Sequence, residues 1–263
     1  MADARMPLTE HLVELRRRLL VSFIVFFAAF CLCFYYSGAI FKVLTIPLRS
    51  YPQINLAYPF YHLAKRAGTA NLVFLAPAEA FWMYIKVAAI AAFILSLPLI
   101  FQQVWGFIAP GLITKEKRFV APFVFFATGF FVSGAAFCFL VVLPFALNFL
   151  LHYQTEYVKP MISVGNYMDF CLKFILAFGA VFELPMVLVV LARMGVVSAQ
   201  TLAKNRKYAI LAAFIVAAVL TPTPDAFNQT LMALPMIILY EIGIIGARIF
   251  GRKRTSPIGQ SEG

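Results

Sequence analysis

Apolar positions run almost unbroken through most of this chain, and charge is confined to short clusters between the runs. Leu19–Phe41, Val87–Thr114 and Phe119–Thr155 contain no Asp, Glu, Lys or Arg. Crossing the hydrocarbon core takes about 20 apolar residues. Each run therefore predicts a transmembrane helix, the third with room for flanking turns. Phe170–Ala192, Tyr208–Leu220 and Phe227–Ala247 predict three more. The last two are expected to be short, because only a few residues, Pro222 and Pro224 among them, separate Leu220 from Phe227. Short spans call for a thinned bilayer or shelter by neighbouring helices. The expected fold is all-α with six transmembrane helices in one membrane domain covering 1–263. Residues 1–18 form a cytoplasmic amphipathic helix, 19–248 the six-span bundle and 249–263 a disordered tail.

Ahead of the first run the pattern changes. In "MPLTEHLVELRRRLL" Leu8, Leu12, Leu15 and Leu19 fall on one helical stripe, Glu10 and Glu14 share another, and Thr9 is placed to cap. An amphipathic helix thus leads into the first span. Taken alone, Glu14 reads as an i,i+4 partner of Arg18, worth a few tenths of a kcal/mol. Glu116, in "TKEKR", reads as a solvated loop charge.

Composition fixes the class. The 263 residues are 63% hydrophobic and 13% charged, outside the range of soluble domains. The net charge of +11 would suggest nucleic acid, but the bases flank the spans. Fifteen lie on one side: Arg5, Arg16–Arg18, Lys115, Lys117, Arg118, Arg193, Lys204, Arg206, Lys207, Arg248 and Arg252–Arg254. Five lie on the other, Lys42, Arg49, Lys65, Arg66 and Lys159. The positive-inside rule accounts for this and places both termini in the cytoplasm. The first run is longer than the apolar core of a signal peptide and reads as a retained helix. Cys31, Cys33, Cys138 and Cys171 all fall inside spans and read as inert core thiols. His11, His62 and His152 are scattered, and no phosphate loop, HExxH or GxSxG occurs. No metal, cofactor or enzymatic centre is expected. The outer loop, about Lys42–Leu75, is aromatic and proline-bearing and should form an ordered cap. Pro98 and Pro185 read as helix kinks.

One residue stands out against this background. In "KFILAFGAVFELPMVLVVLAR", Glu183 lies roughly 15 Å from either end of the apolar stretch. A charge at that depth costs at least about 2.5 kcal/mol and marks a functional candidate. The structural alternative is a buried acid satisfied by hydrogen bonds, by Lys86 or by Lys173, or one that is protonated. Glu79 reads as interfacial, and Lys173 as snorkelling outward.

"HLVELRRRL" at His11–Leu19, "QVWGFIAPGL" at Gln103–Leu112 followed by "KEKR", "FELP" at Phe182–Pro185 and "LTPTPDAFNQTLMALPM" at Leu220–Met236 together resemble the TatC family. That family is the multi-spanning core of the twin-arginine protein translocase. The resemblance covers nearly the whole chain in order and departs at "TPTPD", where "TPPD" is expected. It implies a concave six-span bundle in the bacterial inner membrane that recognises the Arg-Arg signal peptide of folded export substrates. It also implies roles. Glu14 and Glu116 hold the signal arginines, with Arg16, Trp105 and Phe107 beside them. Glu183 forms a polar spot on the concave face. Thr221, Gln229 and Asp225 meet the single-span TatA or TatB subunits, in a complex containing several copies of the chain; for Thr221 and Gln229 the equal alternative is hydrogen bonding within the chain. No nucleic acid is implied.

Three rivals remain. An ion-coupled secondary transporter would use Glu183 and Lys86 and should show an inverted repeat, of which only a faint Leu-Pro echo exists. A membrane enzyme needs a nucleophile–base or metal constellation. A scaffold without substrate of its own is separated only by a binding measurement.

Overall fold

A computed structural model describes residues 8–54, 61–65, 72–108, 120–152, 161–220 and 226–251. The chain forms two compact units, Met1–Gly179 and Ala180–Gly263. Among the described residues five helices are long and apolar enough to cross a membrane: Leu12–Tyr35, Glu79–Phe107, Ala121–Leu151, Val164–Arg193 and Gln229–Phe250.

The first unit opens with α1 (Leu8–Tyr35), one helix from the amphipathic lead through the first span. It starts before Thr9, and it ends at Tyr35, short of the expected Phe41. Two short helices follow, α2 (Ser37–Leu44) and α3 (Ile46–Arg49). An antiparallel pair comes next, β1 (Ser50–Ile54) and β2 (Tyr61–Lys65), in register Ser50 to Lys65. The segment expected as an ordered cap thus holds helices and a hairpin pair, with 55–60 and 66–71 outside the described residues. After β3 (Leu72–Val73), α4 (Glu79–Ile108) begins eight residues before the expected Val87, with Lys86 inside it. Pro98 is accommodated within α4.

Helix α4 packs on α1 through small residues. Ala88 and Ala92, one turn apart, are fully buried against Cys33, Phe26, Ala29 and Phe30. Small side chains let two helices approach closely where lipid offers no hydrophobic drive. The third span is α5 (Val120–Phe137), a widened π-turn at Cys138–Val142, and α6 (Leu143–His152). Pro144 explains the widening: its ring would clash with the carbonyl of Leu140, and an extra residue in the turn relieves that. β4 (Ile162–Ser163) pairs in parallel with β3. Behind it runs α7 (Val164–Phe182). Glu79 ties this junction: its carboxylate accepts from the backbone N–H of Leu75 (2.7 Å), Ala76 (3.4 Å) and Gly165 (2.7 Å) and from the Ser163 hydroxyl.

The second unit holds the end of α7, then α8 (Leu184–Arg193), α9 (Ala199–Lys204), α10 (Arg206–Leu220) and α11 (Ala226–Phe250). Pro185 sits in the first turn of α8, so the helix breaks at Glu183 and restarts. Gly195, at φ 77°, ends α8 in the left-handed conformation that favours glycine. Helix α11 packs on α8 where Gly243 faces Leu188 and Pro185 and Gly246 faces Val189. Ala192, Leu202, Ile244 and Ala247 form the core beside them.

Three expectations change. Only α10 is short, at 15 residues; α11 spans 25 and is not. Fold class also gains two small two-stranded sheets beside the helices among the described residues. Of the four free thiols, Cys33, Cys138 and Cys171 are buried, whereas Cys31 is exposed rather than in the core.

Candidate functional site

Glu14, Arg17, Arg18 and Val21 recur at helical spacing along α1 and, with Gln103 of α4, line a crevice of about 380 Å³. Glu14 already holds a guanidinium there. Its Oε1 accepts from Arg18 Nε at 3.0 Å and from Arg18 Nη2 at 2.5 Å. Arg18 Nη1 points the same fork at Gln103 Oε1, 3.5 Å away on the facing helix. The two side chains are 26% and 23% exposed, so the pair is partly screened from water. Glu14 Oε2 is buried and accepts no hydrogen bond among the described residues.

Glycine makes this arrangement possible. The Arg18 guanidinium occupies the volume that a Cβ on Gly106 would fill. Gln103, Gly106 and half-buried Phe107 fall on one stripe of α4. Trp105 turns the other way. It is 4% exposed and stacks on Phe123 of α5 with ring centroids 4.1 Å apart. Its ring is committed to packing inside this unit. Arg16 is exposed. Glu116 lies outside the described residues, as do Thr221 and Asp225.

Elsewhere the expected residues are dispersed. Lys86 Nζ donates to both carboxylate oxygens of Asp169, at 2.7 and 3.0 Å. Lys173 is exposed. Glu183 precedes α8 and is partly buried; its side chain does not cap that helix. The Gln229 amide donates to the Phe214 carbonyl at 3.1 Å, so part of its hydrogen-bonding capacity is met by α10. In the same unit Arg206 forms two bonds to Glu241, at 2.6 and 2.9 Å. Among the described residues no group of three His, Cys, Asp or Glu side chains could hold a metal.

Three participants escaped the sequence: Gln103 and Gly106 in the crevice, and Asp169 as the partner of Lys86. The first two stand inside "QVWGFIAPGL", but nothing in that string shows that α1 lies against it. Asp169 had one usable signal, a lone acid close to one end of an apolar run, as Lys86 is a lone base.

A family model described as "Sec-independent protein translocase protein (TatC)" matches residues 10–235. The Sec-independent protein translocase protein TatC of Desulforapulum autotrophicum is 42% identical over 254 residues, covering 97% of this chain and 88% of that protein. Its counterpart in Aquifex aeolicus is 39% identical over 252 residues, covering 95% and 98%. Among solved structures, the crystal structure of a twin arginine translocase receptor, TatC, superposes with a TM-score of 0.73 at 37% identity. It covers 92% of this chain and 100% of that one.

Proposed function

The chain belongs to the TatC family of Sec-independent protein translocase proteins, and from that premise we propose that Glu14 is an acceptor for the arginines of twin-arginine signal peptides. The observation that carries this is the guanidinium already bound to Glu14 in the lining of a crevice. A site that satisfies one guanidinium with a carboxylate in a partly dehydrated setting has the chemistry to hold another. Glu116 supplies the second carboxylate, and Phe107, with Arg16 nearby, borders the bound peptide. Trp105 contributes indirectly, by fixing α4 against α5. Photo-crosslinking tests this: a peptide with Arg-Arg ahead of an apolar run should label the α1–α4 crevice, and its Lys-Lys twin should label it weakly. Equal labelling by both would remove arginine recognition.

The remaining assignments follow the same reading. Six helices cross the bacterial inner membrane with both termini in the cytoplasm. Helix α10, about 22 Å long, crosses where the bilayer is thinned below its usual thickness of about 30 Å. Glu183 gives the membrane-embedded face a polar spot. Thr221, Gln229 and Asp225 contact TatA- or TatB-type single-span subunits, Gln229 through its remaining amide atoms. The complex contains several copies of the chain. A coupled transporter built on Glu183 and Lys86 is not favoured: the family is a protein translocase, and Lys86 is engaged by Asp169.

A further inference from the structure

We infer that Arg18 is an internal competitor for Glu14, so that a signal arginine binds by exchange with a guanidinium that the receptor holds there beforehand. The inference rests on the reading of Glu14 as a signal acceptor.

The geometry of the internal pair is what makes exchange favourable. A free guanidinium meets a carboxylate best as a fork on a fork, two parallel bonds to two oxygens. Arg18 instead places Nε and Nη2 on the single oxygen Oε1 and leaves Oε2 buried without a donor among the described residues. Being four residues away on the same helix, its tether imposes this one-sided approach. An arginine arriving from the crevice carries no such tether and can engage both oxygens. The displaced guanidinium has somewhere to rest, since Gln103 Oε1 stands 3.5 Å from Nη1. Gly106 keeps the space in which Arg18 sits when the site is empty. The arrangement also keeps Glu14 from standing as an unpaired, partly buried charge between substrates, which would be costly.

Competition in the empty state has a definite signature. Every ligand that must displace Arg18 gains equally when Arg18 is removed, and a ligand that does not displace it gains nothing. The test uses the purified full-length chain in nanodiscs and fluorescent signal peptides carrying Arg-Arg, Lys-Lys or Gln-Gln. Arg18→Gln should tighten Arg-Arg binding by about threefold to tenfold. It should tighten Lys-Lys binding by the same factor and leave Gln-Gln binding unchanged. Arg18→Lys, the more conservative variant, should give a smaller gain in the same direction, because an ammonium cannot reproduce both bonds. In a Glu14→Gln background the gain from Arg18→Gln should vanish. Unchanged or weakened Arg-Arg binding in both Arg18 variants would overturn the inference, as would a gain that survives in the Glu14→Gln background, since that would be general charge repulsion. Full Arg-Arg binding by Glu14→Gln alone is a different result: it removes Glu14 as acceptor, and with it the premise.

Discussion

The ammonium of Lys86 stands 2.7 Å from one carboxylate oxygen of Asp169 and 3.0 Å from the other, joining α4 to α7 across 83 residues of sequence. Both helices are long and apolar enough to cross a membrane, and the side chains remain 44% and 35% exposed. In water such a pair contributes roughly 0–1 kcal/mol. Within a bilayer the larger quantity is the cost of leaving one charge alone, at least about 2.5 kcal/mol at full depth and less near the surface. Lys86→Met or Asp169→Asn alone should therefore lower the thermal midpoint in detergent or nanodiscs more than the double variant does. A double variant as unstable as the sum of the singles would show that the pair carries no coupling.

Glu14 and Glu116 are expected to act through charge-assisted bonds worth roughly 1.5–3 kcal/mol each. Glu14→Ala and Glu116→Ala should each weaken signal-peptide binding about tenfold to a hundredfold and abolish or strongly reduce export, with folding intact. Glu14→Asp should be milder, since charge remains and reach shortens. Glu10→Ala should be nearly silent. Equal loss from Glu10→Ala would make the α1 face a generic acidic patch.

Glycines in the two units should respond in opposite directions. A Cβ on Gly243 would meet Leu188 Cδ1 at 2.5 Å and the Pro185 backbone at 3.3 Å, and the backbone cannot swing aside. Gly243→Val should cost roughly 1–3 kcal/mol by overpacking α8 against α11. Gly129 in α5 has nothing within 4 Å of a Cβ, so Gly129→Ala should be neutral or stabilise by about 0.5–1 kcal/mol through helix propensity. Chemical denaturation of the two variants checks the contrast.

Topology is open to direct labelling. In a cysteine-free background, a single cysteine at position 160 should react with a membrane-impermeant maleimide only from outside. One at 196, in the turn after α8, should react only from the cytoplasm. Labelling of position 160 from the cytoplasm alone would invert the proposed orientation.

Cysteines at positions 221 and 229 should crosslink to a single-span partner subunit. Gln229→Leu, which also loses the bond to the Phe214 carbonyl, should reduce partner recovery while signal-peptide binding persists. Crosslinks formed only from helices far from these positions would remove the partner assignment.

The sequence by itself determined that the chain is helical and membrane-spanning. In lipid each backbone N–H and C=O must be satisfied within the segment, so a long uncharged run such as Leu19–Phe41 has few options but helix. The amphipathic reading of the start of α1 came instead from the helical spacing of Leu8, Leu12, Leu15 and Leu19, and the family from the resemblance of four strings. Boundaries were less legible where charge intruded. Lys86 falls inside α4 because Asp169 compensates it, and that partner arrives from another helix. Tertiary structure alone decided such pairings. Whether Arg18 meets Gln103 depends on how α1 packs against α4, which small residues such as Ala88 and Ala92 govern. The parallel contact of Leu72–Val73 with Ile162–Ser163 likewise joins strands whose local patterns are unremarkable. Hydrophobic runs state which segments leave water, since burial depends on composition. They do not state which faces meet, because that is settled by the shapes of side chains far apart in sequence.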